Sequence, residues 1–164
     1  MKNKFKIVSL KSSDVTEISK VYVRAYRTRG EKWTDKRASA LIKSYLKKQP
    51  DMAIVAILDR RLVGGFFCLV KPWWDGNHMI ETEIFVDPRA HKQGIGQALF
   101  QEILTRAKKK YEAVVFEGIT FSKLKFPISW YNKIGIKKAE ELMFIDGKVD
   151  VILKKLKQST KGNS

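Results

Sequence analysis

Residues 85–99 read Phe85-Val86-Asp87-Pro88-Arg89-Ala90-His91-Lys92-Gln93-Gly94-Ile95-Gly96-Gln97-Ala98-Leu99. A β-rich run closes at Val86, Asp87-Pro88 stops it, and a basic turn with two glycines follows. From about Gly94 to Lys109 the apolar residues Ile95, Leu99, Ile103 and Ala107 recur every four positions, the spacing of one helix face. A strand that feeds a helix through such a turn leaves the first helical N–H groups unpaired and the positive helix end open. Gly94 and Gly96 have no Cβ, so a diphosphate can approach the backbone closely, while Arg89, His91 and Lys92 add donors and positive potential. The segment predicts a site for a phosphate-bearing ligand. Two well-known loops are excluded by spacing. A dinucleotide fingerprint requires glycine or alanine at position 99, where this chain has Leu99. A nucleoside-triphosphate loop requires Lys and then Ser or Thr after its second glycine, where Gly96 is followed by Gln97-Ala98.

Upstream, a short strand (Phe5 to Leu10) precedes Ser12, Ser13 and Asp14, which offer helix caps, and Val15, Ile18, Val21, Tyr22 and Ala25 recur at helical spacing. Thr34 or Asp35 caps a second helix whose Ala38, Leu41, Ile42 and Tyr45 share a face. Two β-rich runs, Met52 to Leu58 and Leu62 to Val70, are joined by Asp59-Arg60-Arg61, short enough for a hairpin. The stretch Lys71 to Asn77 carries turn signals and leads into a strand from His78 to Val86. Downstream of the 94–109 helix come a strand (Ala113 to Ile119), a short helix between Pro127 and Gly135, and two strands flanking the turn-forming pair Asp146-Gly147. This order implies a mixed sheet with helices packed on it. No repeat or internal boundary interrupts it, so residues 1–157 are expected to form one domain and 158–164 a flexible polar tail.

The composition narrows the function classes. A chain of 164 residues that is 44% hydrophobic supports a full core. No apolar run reaches the roughly 18 residues of a membrane span, and the basic N-terminus lacks the apolar stretch of a secretory signal, so no membrane association and a cytoplasmic location are expected. Cys68 is the single cysteine and lies in an apolar run, which points to burial; His78 and His91 are not arranged at ligand spacing, so no metal is expected. The formal charge of +16 would attract polyanions. A nucleic-acid-binding module is therefore a competing reading, although the basic residues are scattered and no RRM, zinc-finger or KH motif is present.

Val86-Asp87-Pro88 followed by His91-Lys92-Gln93-Gly94-Ile95-Gly96 resembles the acetyl-CoA signature of the GNAT superfamily of N-acetyltransferases, with His91 where the family pattern has Gln or Arg. Trp130-Tyr131-Asn132-Lys133-Ile134-Gly135-Ile136 resembles the family's late Tyr-x-x-x-Gly-Phe segment, with Ile136 in place of Phe. The resemblance covers roughly Leu62 to Leu156. It implies an α/β (α+β) fold, with a mixed, mostly antiparallel sheet of six to seven strands and about four helices on both faces. The fourth strand would carry a bulge that splays it from the fifth, with the pantetheine arm of acetyl-CoA in the gap. The implied activity is direct transfer of an acetyl group from acetyl-CoA to a primary amine of a small molecule or protein. The implied cosubstrate-binding residues are Phe85, Val86, His91, Lys92, Gln93, Gly94, Ile95, Gly96, Gln97 and Lys133, and Tyr131 would protonate the leaving thiolate. A degenerate, acetyl-CoA-binding sensor is a further reading. Dimers are frequent in the superfamily, so a homodimer is compatible with the sequence.

Three carboxylates are candidates for the base: Glu117 in Val115-Phe116-Glu117-Gly118, and Glu83 and Glu81, which strand alternation points to one side. Trp33, Trp73 and Trp74 fall on predicted loops, where they line an acceptor pocket or cap the core edge. His78 has no assigned role.

Overall fold

The computed structural model describes residues 5–161, which fall into two compact units, 5–119 and 120–161. The first unit holds β1 (Phe5–Ser9), α1 (Val15–Arg27), α2 (Asp35–Lys48), β2 (Ala53–Leu58), β3 (Arg61–Trp73), β4 (Gly76–Val86), α3 (Ile95–Tyr111) and β5 (Ala113–Phe116). The strands form one sheet in the order β1-β2-β3-β4-β5, antiparallel throughout except for the parallel β4–β5 pair that α3 connects. The mixed, mostly antiparallel sheet is as expected, but the described residues give it five strands rather than six to seven, with five α-helices across both units.

Alternation along β3 builds two cores. Phe67 and Leu69 face α1 and α2 and join Ile18, Tyr22, Ala38, Ile42 and Tyr45 in one buried cluster. Phe66 turns the other way, its ring 5.2 Å from that of Phe100 on α3, a helix that also buries Ile95, Leu99, Ile103 and Ala107. Cys68 is fully buried in β3, and burial pushes its thiol up to about 12, so it is no nucleophile at neutral pH. Thr34 caps α2, its hydroxyl accepting the Arg37 N–H at 3.3 Å. Asp59 and Arg60 both have positive φ (48° and 63°), so the β2–β3 hairpin closes on a two-residue turn of the primed kind.

Three segments differ from the sequence reading. The stretch read as a loop from Lys71 to Asn77 is mostly strand: Pro72 pairs with Asn77 and Trp73 with Gly76, leaving Trp74 and Asp75 as the turn. A proline is tolerated where its missing N–H faces no ladder partner, and Gly76, at φ 138°, supplies the reversal. The strand expected over Ala113 to Ile119 ends at Phe116. The two strands expected around Asp146-Gly147 do not form. The second unit instead contains α4 (Lys125–Lys133), closed by Gly135 at φ 90°, and α5 (Val149–Lys161). Val149, Ile152, Leu153 and Leu156 stand at helical spacing, and that period prevails over the β-branched Val149, Val151 and Ile152. Helix α5 continues into the stretch read as a tail, whose residues 162–164 lie outside the described residues.

His78, given no role from sequence, clasps β5 to the β3–β4 hairpin. Its Nδ1 meets Glu117 Oε1, its Nε2 lies 2.8 Å from Asp75 Oδ1, and its side chain is almost wholly buried. A ring with a carboxylate on each nitrogen holds a proton on both, and the Glu117 bond, against burial and with Asp75, raises its pKa above the ordinary value. The folded-state pKa exceeds the unfolded one, so this contribution to stability is full below about pH 6.5 and is lost as pH rises through the folded value. We predict that the melting temperature falls as pH is raised through that window. The fall should be smaller in His78→Gln, as followed by circular dichroism.

Candidate functional site

Strand β4 carries the features of the site. Between Phe67↔Glu83 and Leu69↔Ile80 one residue of β3 faces two of β4, a bulge at Glu81–Thr82 with Glu81 at φ 49°. On the other edge, pairing with β5 ends at Met79↔Phe116; Glu117 N–H still donates to the Met79 carbonyl (2.9 Å), and the Thr82 hydroxyl to the Glu117 carbonyl (2.9 Å). From Glu83 to Val86 no strand lies on this second edge of β4, opposite β3, among the described residues. The sheet therefore opens at the C-terminal half of β4, exposing backbone N–H and C=O groups of the kind an extended ligand can pair with. Gly64 and Gly65 of β3 let β4 come close on its paired side: a Cβ on Gly64 would stand 2.7 Å from the Phe85 carbonyl oxygen, and one on Gly65 2.9 Å from the Phe85 ring.

At the end of β4 the chain is fixed before it enters the loop. Asp87 is buried, its N–H donates to the Val63 carbonyl (2.7 Å), and its carboxylate accepts from Arg24 Nη2 (2.6 Å) and Nε (3.0 Å) and from the Arg89 N–H (3.1 Å). Burial alone would raise this carboxyl; the Arg24 and Arg89 bonds outweigh it and hold it below the ordinary value. Lys92 (φ 60°) and Gly94 (φ 78°) then turn the backbone left-handed, and Gly94 caps α3. The first bond between helix and cap is Ala98 N–H to the Gly94 carbonyl (3.0 Å), so the N–H groups of Ile95, Gly96 and Gln97 stand ahead of it at the helix end. Nothing lies within 4 Å of a Cβ placed on Gly94, and one on Gly96 would only touch Val86, at 3.8 Å.

The sequence-derived cosubstrate residues Phe85, Val86, His91, Lys92, Gln93, Gly94, Ile95, Gly96 and Gln97 are contiguous around this helix end. The side chains of Phe85, whose ring lies 5.0 Å from that of Tyr22, and of Ile95 are core, so only their backbones are open to a ligand. His91 turns back, its Nε2 3.1 Å from the Val86 carbonyl oxygen, and thus braces the loop. Lys133 and Tyr131 belong to α4 of the second unit. The Tyr131 ring lies 5.5 Å from that of Trp130, and burial raises its phenol's pKa, keeping it protonated at neutral pH.

The three candidate carboxylates have different surroundings. Glu81 is exposed and paired with Lys48 (3.5 Å) and Lys71 (3.8 Å). The bulge interrupts the alternation that would place it beside Glu83. Glu117 is committed to His78. Glu83 is half-buried, and its Oε2 accepts from the hydroxyls of Tyr26 (2.5 Å) and Tyr22 (3.1 Å), both on α1. Burial raises its pKa above the ordinary value, with the two phenol bonds opposing that shift. Trp33 packs edge-on to Tyr22, ring centres 5.1 Å apart, and donates to Glu31, whereas Trp73 and Trp74 are exposed at the β3–β4 turn. Tyr26 and Arg24 were not singled out from sequence. The spacing Tyr22-x-x-x-Tyr26, which stacks two phenols on one helix face, was the available signal.

A family model described as the acetyltransferase (GNAT) family matches residues 14–126, and the chain belongs to that family. None of the curated proteins matches the sequence. Among solved structures, a "possible acetyltransferase" from Clostridium difficile 630 is similar with a TM-score of 0.74 at 16% identity, over 88% of this chain and 98% of that one. A "predicted acetyltransferase with acetyl-CoA" from Clostridium acetobutylicum gives 0.68 at 12% identity over 87% and 96%. A ribosomal-protein-alanine N-acetyltransferase from Brucella melitensis biovar Abortus 2308 gives 0.67 at 17% over 88% and 99%. At these identities the likeness is one of fold. Among the described residues, no helix is long and apolar enough to cross a membrane.

A β-branched residue cannot take up the left-handed cap without strain of about 1–2 kcal/mol or more. We expect Gly94→Val to weaken coenzyme A binding at least tenfold in calorimetry, while the chain still folds cooperatively with a melting temperature lowered by about 2–8 °C.

Proposed function

We propose that the protein transfers an acetyl group from acetyl-CoA to a primary amine, with its diphosphate site at the start of α3 and its base on β4. The observation that carries this reading is the coincidence, at one end of β4, of an unpaired strand edge, a helix N-terminus opened by Gly94, and the half-buried Glu83. Bound acetyl-CoA would supply an activated acetyl thioester. The N–H groups of Ile95, Gly96 and Gln97 would hold the diphosphate, with Lys92, Gln93 and Arg89 around it, and the Phe85–Val86 backbone would pair with the pantetheine arm.

The acceptor amine is an ammonium ion at neutral pH and must lose a proton before its nitrogen can attack the thioester carbonyl. Glu83 suits that step better than its rivals. Glu117 is engaged by the His78 imidazole and Glu81 by two lysines, so each is already held by a basic partner. Glu83 has phenols for partners, and burial raises its pKa, which makes it a better proton acceptor than an ordinary carboxylate. As the carbon–nitrogen bond forms and the carbon–sulfur bond breaks, the departing thiolate needs a proton. The resemblance of the Trp130–Gly135 segment to the family assigns that proton to Tyr131. The attacking nitrogen sheds its second proton as the amide forms, and that proton restores the Tyr131 phenol; the products are an amide, free coenzyme A and the proton left on Glu83, which returns to solvent.

The test is calorimetric titration with acetyl-CoA and coenzyme A, with ATP and NAD as controls. It is followed by a thiol-release assay against an amine panel that includes a peptide beginning with alanine, a lysine peptide and an alkyl diamine. We expect saturable binding of the coenzyme A compounds alone and turnover with at least one amine. Glu83→Gln should lower kcat/KM by about 10²-fold or more, and Tyr131→Phe should slow turnover at least tenfold with little change in coenzyme A affinity. Absence of coenzyme A binding would overturn the reading. Binding without turnover across the panel would favour a sensor.

A further inference from the structure

The two phenols on Glu83 have no counterpart in the sequence signature, and their arrangement assigns them work. Tyr22 and Tyr26 lie one helical turn apart on α1, with ring centres 4.4 Å apart, and both hydroxyls donate to the same oxygen, Glu83 Oε2. Neither occupies Oε1. Tyr22 is itself locked in the core between Phe85 and Trp33, at 5.0 and 5.1 Å between ring centres, so the phenol pair is a rigid donor set. The charged neighbours are otherwise engaged. Arg24 of α1 binds Asp87, Lys48 of α2 and Lys71 of β3 bind Glu81, and Glu31 of the α1–α2 connection accepts from Trp33. Tyr45 of α2 also packs near, but its hydroxyl donates to the Glu81 carbonyl (2.6 Å).

A half-buried carboxylate with no guanidinium or ammonium on it would tend to hold its proton and so be useless as a base. Two phenols stabilise the ionised form without the cost of a cation, which would form a tight ion pair and leave the oxygen a poor proton acceptor. Building on the reading of Glu83 as the base, we propose that Tyr26, seconded by Tyr22, is a positioning residue for proton removal from the acceptor. Its phenol holds the Glu83 carboxylate ionised and in one rotamer, leaving Oε1 to take the proton. In the reaction Tyr26 gives up no proton of its own.

Tyr26→Phe and Tyr22→Phe delete one oxygen each and keep the rings. In the free protein, the Glu83 carboxyl is titrated by carbon-13 NMR. We expect its midpoint to rise by about one pH unit in Tyr26→Phe and further in the double variant. In turnover with acetyl-CoA and the amine that reacts in the panel, the acidic limb of kcat/KM should move up by the same amount, while the rate on the alkaline plateau stays within about threefold. A merely structural role would lower the rate equally at every pH and leave the midpoint in place. An unmoved Glu83 midpoint in Tyr26→Phe overturns the proposal, and that variant alone suffices if the double one does not fold. Failure of the underlying reading looks different: Glu83→Gln would turn over at the parent rate. A dead Glu83→Gln with a stationary acidic limb in Tyr26→Phe would sink the positioning role alone.

Discussion

Much of the first unit follows from the fact that β4 keeps its β3 partner to the end but loses its β5 partner after Met79. A strand edge without a neighbour leaves hydrogen-bonding groups that must be satisfied by water or by something else, and proteins seldom leave such an edge open without cause. Here the cause is local. The extra residue at Glu81–Thr82 twists β4, the Thr82 hydroxyl and the Glu117 backbone close the last contact with β5, and the paired side is kept tight by Gly64 and Gly65. The same strand then delivers Val86 and Asp87 to the loop, where Arg24 and the Val63 carbonyl hold Asp87 so that α3 begins at a fixed distance from the open edge. Backbone edge and helix end are thereby presented together, one suited to an extended amide-bearing arm and the other to a diphosphate.

The electrostatics of the site run against those of the molecule. In a chain of formal charge +16, the acidic side chains near β4 are sorted by partner: Asp87 with arginine, Glu81 with lysines, Glu117 with histidine and Glu83 with phenols. Of these four, only the last combination leaves the carboxylate without a basic partner. Fold position alone would not have separated the three glutamates. Their partners do.

The loop, its helix and the β2–β3 hairpin were legible in the sequence because each is written in a local code: glycines at the loop, apolar residues at a fixed period, and a short polar connection, Asp59-Arg60-Arg61, between β-rich runs, of which the structure gives Arg61 to β3. The family signature added the bulge and the opened sheet. What could not be read was set by contacts between distant residues. His78 looks like an ordinary strand residue until Asp75 and Glu117 are brought to its two nitrogens, and the pleat argument that paired Glu81 with Glu83 could not see the bulge that separates them. Trp73 was read as loop because Pro72 precedes it, although β3 continues through both. The final strands were misread for the opposite reason: Val149, Val151 and Ile152 favour strands one by one, but the apolar spacing of Val149, Ile152, Leu153 and Leu156 is helical, and a strand also needs a partner that the sequence does not name. Tyr26 drew no notice because a tyrosine on an amphipathic helix is ordinarily packing; only the carboxylate opposite it gives the phenol a use.

The most direct measurement is a nitrogen-15 NMR titration of the protein with acetyl-CoA, following backbone amides one by one. The account predicts that the largest shifts fall on Ile95, Gly96 and Gln97 at the start of α3 and on Phe85 and Val86 at the open edge of β4, with saturation at one equivalent. Saturable binding whose shifts cluster elsewhere, with those five amides unmoved, would contradict it.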